Sequence, residues 1–166
     1  SKATINLKAD VMEIAQSYEQ MGAAGMSVLT NQRYFGGSLE DLQLAKSVCN
    51  LPILRKDFMV DPYQIYEAKA YGADAILLIA NALPASKLEE LAVLAHELGL
   101  EILFEIHEAD EIKKLDSRHI DLIGVNNRNL RTFDVDLQQG LDMLPHLPSE
   151  LLKISESGIQ DLDTIE

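Results

Sequence analysis

Three ionisable residues stand inside or at the end of short apolar runs, where a charge is costly unless it has a partner. Lys56 closes I-L-R-K (53–56), Glu105 lies within E-I-L-F-E-I (101–106), and Glu156 follows L-L-K-I-S (151–155). A lysine held at a strand end can act as a general acid, or hold a carboxylate or phosphate. It can equally cap the rim of a strand and reach to solvent. Alternation along a strand puts Leu103 and Glu105 on one face, and Phe104 and Ile106 on the other. Lysine is a natural partner for such a carboxylate, and the pair is either poised for proton transfer or a structural ion pair. Arg55, Lys56 and Asp57 are consecutive, so with Lys56 inward the other two point toward helices or pair locally.

Other residues cluster beside these three. Asn126 and Asn127 end a run, with Arg128 next. Asn126 can position a hydroxyl or carboxylate without charge, and Arg128 can grip an anion or hold Glu156. Turn formation explains the asparagine pair as well. Ser157-Gly158 allows a tight strand-to-helix turn whose N–H groups can hold phosphate, although two residues are a weak signal. Gly36-Gly37-Ser38 is equally weak. Phe35, Phe58 and Leu130 lie just beyond strand ends, where they can cover an apolar ring or simply pack. His107 shares the inward parity of Glu105 and stands beside it or in solvent. Asp74 precedes a strand in G-A-D-A, at the opposite and stabilising end, and Tyr63, Tyr66 and Tyr71 read as outer packing.

The elements that must position these residues are legible as two alternating patterns. Short apolar runs occupy 25–30, 53–56, 75–80, 101–106, 122–127 and 151–155. They are nearly continuous in apolar character, as parallel strands covered on both faces require. Amphipathic stretches fill 8–21 (Val11, Ile14, Ala15, Tyr18, Met21), 39–47 (Leu39, Leu42, Leu44, after Ser38), 62–71 (Pro62 after Asp61) and 85–98 (ending at Gly99). Shorter helices are expected over 109–116 and 137–144, and 160–166 begins another. Strand starts recur roughly every 21 to 29 residues, the period of a βα repeat. Six strands suit either an open doubly wound sheet or a barrel. No G-x-G-x-x-G follows a strand, so dinucleotide binding has no support. A barrel needs eight strands. The expectation is a TIM (β/α)8-barrel in a single incomplete domain, 1–166, with strands 2 to 7 present and strands 1 and 8 outside this sequence.

Composition narrows the partners. The chain has 166 residues, 47% of them hydrophobic, and a formal net charge of -13, which repels polyanions, so nucleic acid is not an expected partner. A small anion remains compatible, because local backbone N–H groups outweigh the global sign. Cys49 is the single cysteine, expected buried near a helix end; it fits a reducing compartment and a cytoplasmic location. His96, His107, His119 and His146 show no metal-binding spacing. No run is long enough for a membrane span, and the N-terminus lacks a signal-peptide pattern.

The set S-V-L-T (27–30), Y-F-G-G-S (34–38), P-I-L-R-K-D-F (52–58), G-A-D-A-I-L-L-I (72–79), E-I-H (105–107), I-G-V-N-N-R-N-L (123–130) and S-E-S-G-I (155–159) resembles the indole-3-glycerol-phosphate synthase family in order and spacing, over essentially the whole chain. The resemblance implies a carbon–carbon lyase of tryptophan biosynthesis. It closes the ring of 1-(2-carboxyphenylamino)-1-deoxyribulose 5-phosphate with loss of CO2 and water, without metal or organic cofactor. It implies that Lys56 is the general acid at the substrate carbonyl and Glu105 the acid or base of dehydration. Asn126 and Glu156 position and stabilise substrate, with Arg128 near them. Phe35, Phe58 and Leu130 cover the anthranilate ring, and Ser157 and Gly158 begin the phosphate-binding loops. The implied partner is thus a small phosphorylated aromatic substrate.

The departures from the family pattern lie at the ends. The E-x-K strand and most of S-P-S-x-G are not in this sequence, with Ala3 where glycine is usual, and neither are the last strand and its Gly-rich loop. Alternatives are therefore a catalytically impaired fragment of that barrel, a monomer when complete, or an oligomer that closes its sheet edges in trans. Another phosphate-binding barrel, such as phosphoribosylanthranilate isomerase, would be expected to use a cysteine and an aspartate, and Cys49 falls at the wrong rim for that.

Overall fold

Side-chain caps open most of the α-helices; the one that follows Pro84 begins without one. The computed structural model describes residues 10–129 and 132–159. Asp10 accepts from the backbone N–H groups of Met12 and Glu13 and opens α1 (Val11–Gln20). Ser38 and Asp41 form a reciprocal capping box at α3 (Leu39–Val48), after the single turn α2 (Gln32–Phe35). Asp61 and Gln64 do the same for α4 (Pro62–Ala70), with Pro62 in its first turn. Helices α5 (Ala85–Glu97) and α6 (Leu137–Met143) complete the outer layer.

The strands are β1 (Met26–Leu29), β2 (Ile53–Lys56), β3 (Ala75–Ile79), β4 (Glu101–Ile106), β5 (Leu122–Asn126) and β6 (Leu152–Glu156). All pair in parallel, in strict sequential order from β1 to β6. A doubly wound sheet reverses its order at a switch point, whereas a barrel does not. The order therefore decides what composition left open: this is a partial barrel. Register aligns the strand tips, pairing Leu29 with Lys56, Ile79 with Glu105 and Asn126 with Glu156.

Apolar side chains pack on both faces of the sheet. Ile76, Leu78, Ile102, Phe104, Ile106 and Ile123 face the helices, against Leu42, Ile65, Leu88 and Leu91. Leu77, Ile79 and Leu103, with Leu54, Leu122 and Ile154, line the concave face. Continuous apolar character holds for β3, buried at all five positions, but not for β1, where Ser27 and Leu29 are exposed. β1 forms one edge of the described sheet and lacks a neighbour on that side.

Three local expectations are corrected. The stripe in α1 is narrower than its spacing predicts: Ala15 is buried, but Tyr18 is exposed, and Met21, at 83% exposure, is the C-cap residue beyond the face that meets α3. In α3 the buried positions are Leu42 and Ala45, at i and i+3, while Leu44 lies off that face. Residues Ala109–Lys114 form a 3-10 helix rather than an α-helix, entered where the Glu111 carboxylate accepts from the backbone N–H groups of His107 and Glu108. The expected helix over 160–166 lies outside the described residues. Among the described residues no helix is long and apolar enough to cross a membrane.

Candidate active site at the C-terminal rim

Strand alternation and a buried ion-pair network place Lys56. Arg55 is 3% exposed and turned toward the helices. It donates to Thr30 Oγ1 (3.1 Å), to the Gln64 carbonyl (2.7 Å) and to Glu67 (3.3 Å). Asp57 accepts from Thr30 Oγ1 (2.9 Å), Asn31 Nδ2 (3.0 Å) and Phe58 N (2.8 Å), and lies 3.6 Å from Arg55. The residues on either side of Lys56 are thus tied down, which leaves its side chain to project over the concave face. There Nζ stands 2.6 Å from Glu156 and 3.9 Å from Glu105.

Glu105 is 2% exposed. Asn126 Nδ2 donates to its Oε1 at 3.1 Å, and His107 Nε2 lies 3.7 Å from the same oxygen. Burial raises the Glu105 pKa above the ordinary carboxylate range, and the Glu156 charge raises it further. The Asn126 hydrogen bond and the Lys56 and His107 charges oppose that shift without reversing it. One lysine thus serves two carboxylates, and Glu105 retains its proton to higher pH than an ordinary carboxyl does. Both ring nitrogens of His107, and Glu156 Oε1, are buried and have no hydrogen-bond partner among the described residues.

Glycine makes room for Glu156. A Cβ at Gly124, on β5, would run into the Glu156 carboxylate. The β6 tip is held by asparagines: Asn126 Oδ1 accepts from Ser157 Oγ (2.9 Å) and from Arg128 N (3.0 Å). Ser157 has φ 69° and Gly158 φ 89°, two successive left-handed residues at the turn. Phe35 and Phe58 stack at 5.9 Å, with Tyr34 edge-on to Phe58 at 6.2 Å. A cavity of about 100 Å³ lies between Phe35, Phe58, Leu77, Ile79, Lys56, Glu105 and Asn126, with Asp57 at its margin.

Lys56, Glu105, Asn126, Glu156, Phe35, Phe58 and Ser157 therefore converge on one rim, with Gly158 following Ser157. Arg128 does not hold Glu156 among the described residues: its guanidinium donates to the Phe133 carbonyl at 3.4 Å, and Lys56 takes the carboxylate instead. Leu130 lies outside the described residues. Sequence reasoning passed over Tyr34, Leu77, Ile79 and Gly124. The inward parity of β3 was the available signal for Leu77 and Ile79, whereas the need for glycine at 124 depends on a carboxylate 32 positions away. Asp74 sits at the opposite rim, paired with Lys46 at 2.7 Å, and Cys49 is buried there beside Met26. Among the described residues no group of three or more His, Cys, Asp or Glu side chains is placed to hold a metal ion.

Sequential parallel order with an acid–base cluster at the strand ends defines a TIM-barrel protein with its candidate site at the C-terminal rim. Structural likeness agrees on the fold. N-acetylmannosamine-6-phosphate 2-epimerase from Clostridium perfringens superposes with a TM-score of 0.69 at 16% identity, covering 93% of this chain and 71% of that one. 3-Hexulose-6-phosphate synthase from Salmonella typhimurium does so at 0.69 and 10% identity, over 92% and 76%. In sequence, residues 1–166 match the family model of indole-3-glycerol phosphate synthase, and the chain belongs to that family. It is 48% identical over its whole length to the indole-3-glycerol phosphate synthase of Bacteroides thetaiotaomicron, and 51% identical over 93% of its length to that of Polynucleobacter asymbioticus. The chain spans 64% and 58% of those two proteins.

Proposed function

We propose that this chain carries the acid–base centre of an indole-3-glycerol phosphate synthase, a decarboxylating lyase acting on 1-(2-carboxyphenylamino)-1-deoxyribulose 5-phosphate. The observation that carries the reading is Lys56 Nζ set between Glu156 and Glu105, at 2.6 and 3.9 Å, above an aromatic wall. The ring carbon bearing the substrate carboxylate attacks the ketone carbon, and Lys56 protonates the oxygen as that bond forms. The carboxylate leaves as CO2, and its bonding pair returns aromaticity to the ring. Glu105, protonated to higher pH than an ordinary carboxyl, delivers a proton to the departing hydroxyl. Water leaves, and loss of a proton from the adjacent carbon completes the indole.

Glu156 holds Lys56 in place, and Asn126 orients both Glu105 and the substrate hydroxyls. Phe35 and Phe58, with Leu130, cover the anthranilate ring, while Ser157, Gly158 and Arg128 serve the phosphate end. A soluble, cytoplasmic setting and the absence of a required cofactor belong to the same proposal. The isomerase alternative has no supporting observation, since Cys49 is buried at the base rather than at the rim. The test uses the protein at the length of its curated relatives. Supplied with the substrate alone, it should release one CO2 for each indole chromophore formed. Failure to form either product overturns the reading.

A further inference from the structure

Asn127 is 1% exposed, and β5 parity turns it away from the concave face toward α6, so it cannot touch a substrate. Yet it holds three consecutive residues of the β6 tip. Its Nδ2 donates to Ser155 Oγ at 2.9 Å and to the Ser157 carbonyl at 3.1 Å. Its backbone N–H donates to the Glu156 carbonyl at 2.9 Å, and its own carbonyl accepts from Asp136 N at 2.9 Å. Glu156 is therefore bracketed on both sides and along its own backbone. Ser157 needs such a hold, because φ 69° is an uncommon conformation for a residue with a Cβ. Asn126 grips its hydroxyl while Asn127 grips its carbonyl. The remaining Asn127 atom, Oδ1, has no hydrogen-bond partner among the described residues and lies over the Cα of Gly140 in α6, where any Cβ would strike it. Gly140 is buried in a helix interior, a position where glycine is costly unless close approach requires it.

We propose that Asn127, seated on Gly140, is a positioning residue: an amide strap that fixes the β6 tip so that Glu156 stays on Lys56 and the Ser157–Gly158 turn keeps its left-handed form. The inference rests on the reading of the site given above, and it acts through Glu156 and Ser157 rather than by contact with the reacting atoms. It also explains why both asparagines stand in sequence: Asn126 works the concave face and Asn127 the helix face of the same strand end.

The test uses the protein at the length of its relatives, with Asn127→Asp, which keeps shape but turns an oxygen against the Ser157 carbonyl, and Gly140→Ala, which pushes the amide from behind. Crystal structures of parent and variants give the first readout. Ser157 leaving positive φ and the Lys56–Glu156 separation opening beyond about 4 Å support the strap; an unchanged tip overturns it, whether or not the parent turns over substrate. Turnover gives the second. Each variant should lower kcat about 10- to 100-fold, and Asn127→Asp combined with Glu156→Gln should fall short of the product of the two single losses. Losses that multiply fully would make Asn127 independent of Glu156 and overturn the inference. A parent without turnover would defeat the reading of the site but not the strap, which the crystal structures still judge. Loss of cooperative melting in both variants would make the amide a determinant of stability alone and overturn it.

Discussion

The two ends of the strands carry similar ion pairs put to different ends. At the base, Lys46 Nζ reaches both oxygens of Asp74, at 2.9 and 2.7 Å, and Ile53 N adds a third bond at 2.8 Å. One charge meets one charge, and a strand is pinned. At the rim, Lys56 faces two carboxylates, Glu156 Oε1 lacks a hydrogen-bond partner among the described residues, and Glu105 sits in a site that disfavours its charge. A pair built for stability is satisfied, whereas the rim cluster leaves capacity for a proton and for another molecule. Removing the lysine from each end separates these roles. Lys56→Ala should reduce turnover by about 10²–10⁴-fold with the cooperative melt retained. A variant with near-parent kcat would remove Lys56 from the chemistry.

Glu105→Gln comes next in size and tests the proton. Turnover should fall by about 10²-fold or more while KM moves little; an effect confined to KM would leave Glu105 a binding residue. Stability should move the opposite way. A carboxyl whose folded pKa is raised is favoured in the fold at low pH, below its ordinary value of 4.5, and penalised as pH rises through the raised value. The glutamine carries no such penalty. The melting temperature of Glu105→Gln should therefore gain on the parent as pH climbs from about 4 to neutrality. A gap independent of pH would show that burial does not strain this carboxylate.

Gly124→Ala probes the same cluster more gently. Its methyl would meet the Glu156 carboxylate, so that group must swing from Lys56, and kcat should drop about tenfold. Full activity would mean that the Lys56–Glu156 contact is dispensable.

The contrast between the ends was partly legible in the residues themselves. Period-two parity in E-I-L-F-E-I turns Glu105 inward and Phe104 outward, and the structure has both so. The same parity sends Arg55 and Asp57 outward, where they join Thr30 and Glu67. Parity is local, and it cannot say what lies opposite. Lys56 and Glu156 are 100 residues apart and meet only because the sheet curls. For that reason Arg128, just past the end of the strand before Glu156, was a plausible holder and Lys56 proved the actual one. Strand order is likewise a property of pairing rather than of any single run. The α1 stripe buries less than its spacing predicts, because amphipathic spacing says which residues share a face, not how much of that face a neighbour covers.

The smallest expected effect lies at the base and closes the comparison. Asp74 is worth more than its ion pair, because it also accepts the Ile53 N–H that starts β2. The lysine side of the pair is 36% exposed, so solvent screens much of its charge. Asp74→Ala should cost about 1–3 kcal/mol, the range for leaving a donor unmet. Lys46→Met, which keeps the apolar stem, should cost about 1 kcal/mol or less. Both should leave kcat and KM at parent values, because neither residue touches the rim. Urea midpoints with an unchanged slope would register the difference as stability. A fall in kcat with Asp74→Ala at temperatures well below its melt would mean that the base tunes the rim through β2, since Asp74 binds the N–H at one end of the strand that carries Lys56 at the other.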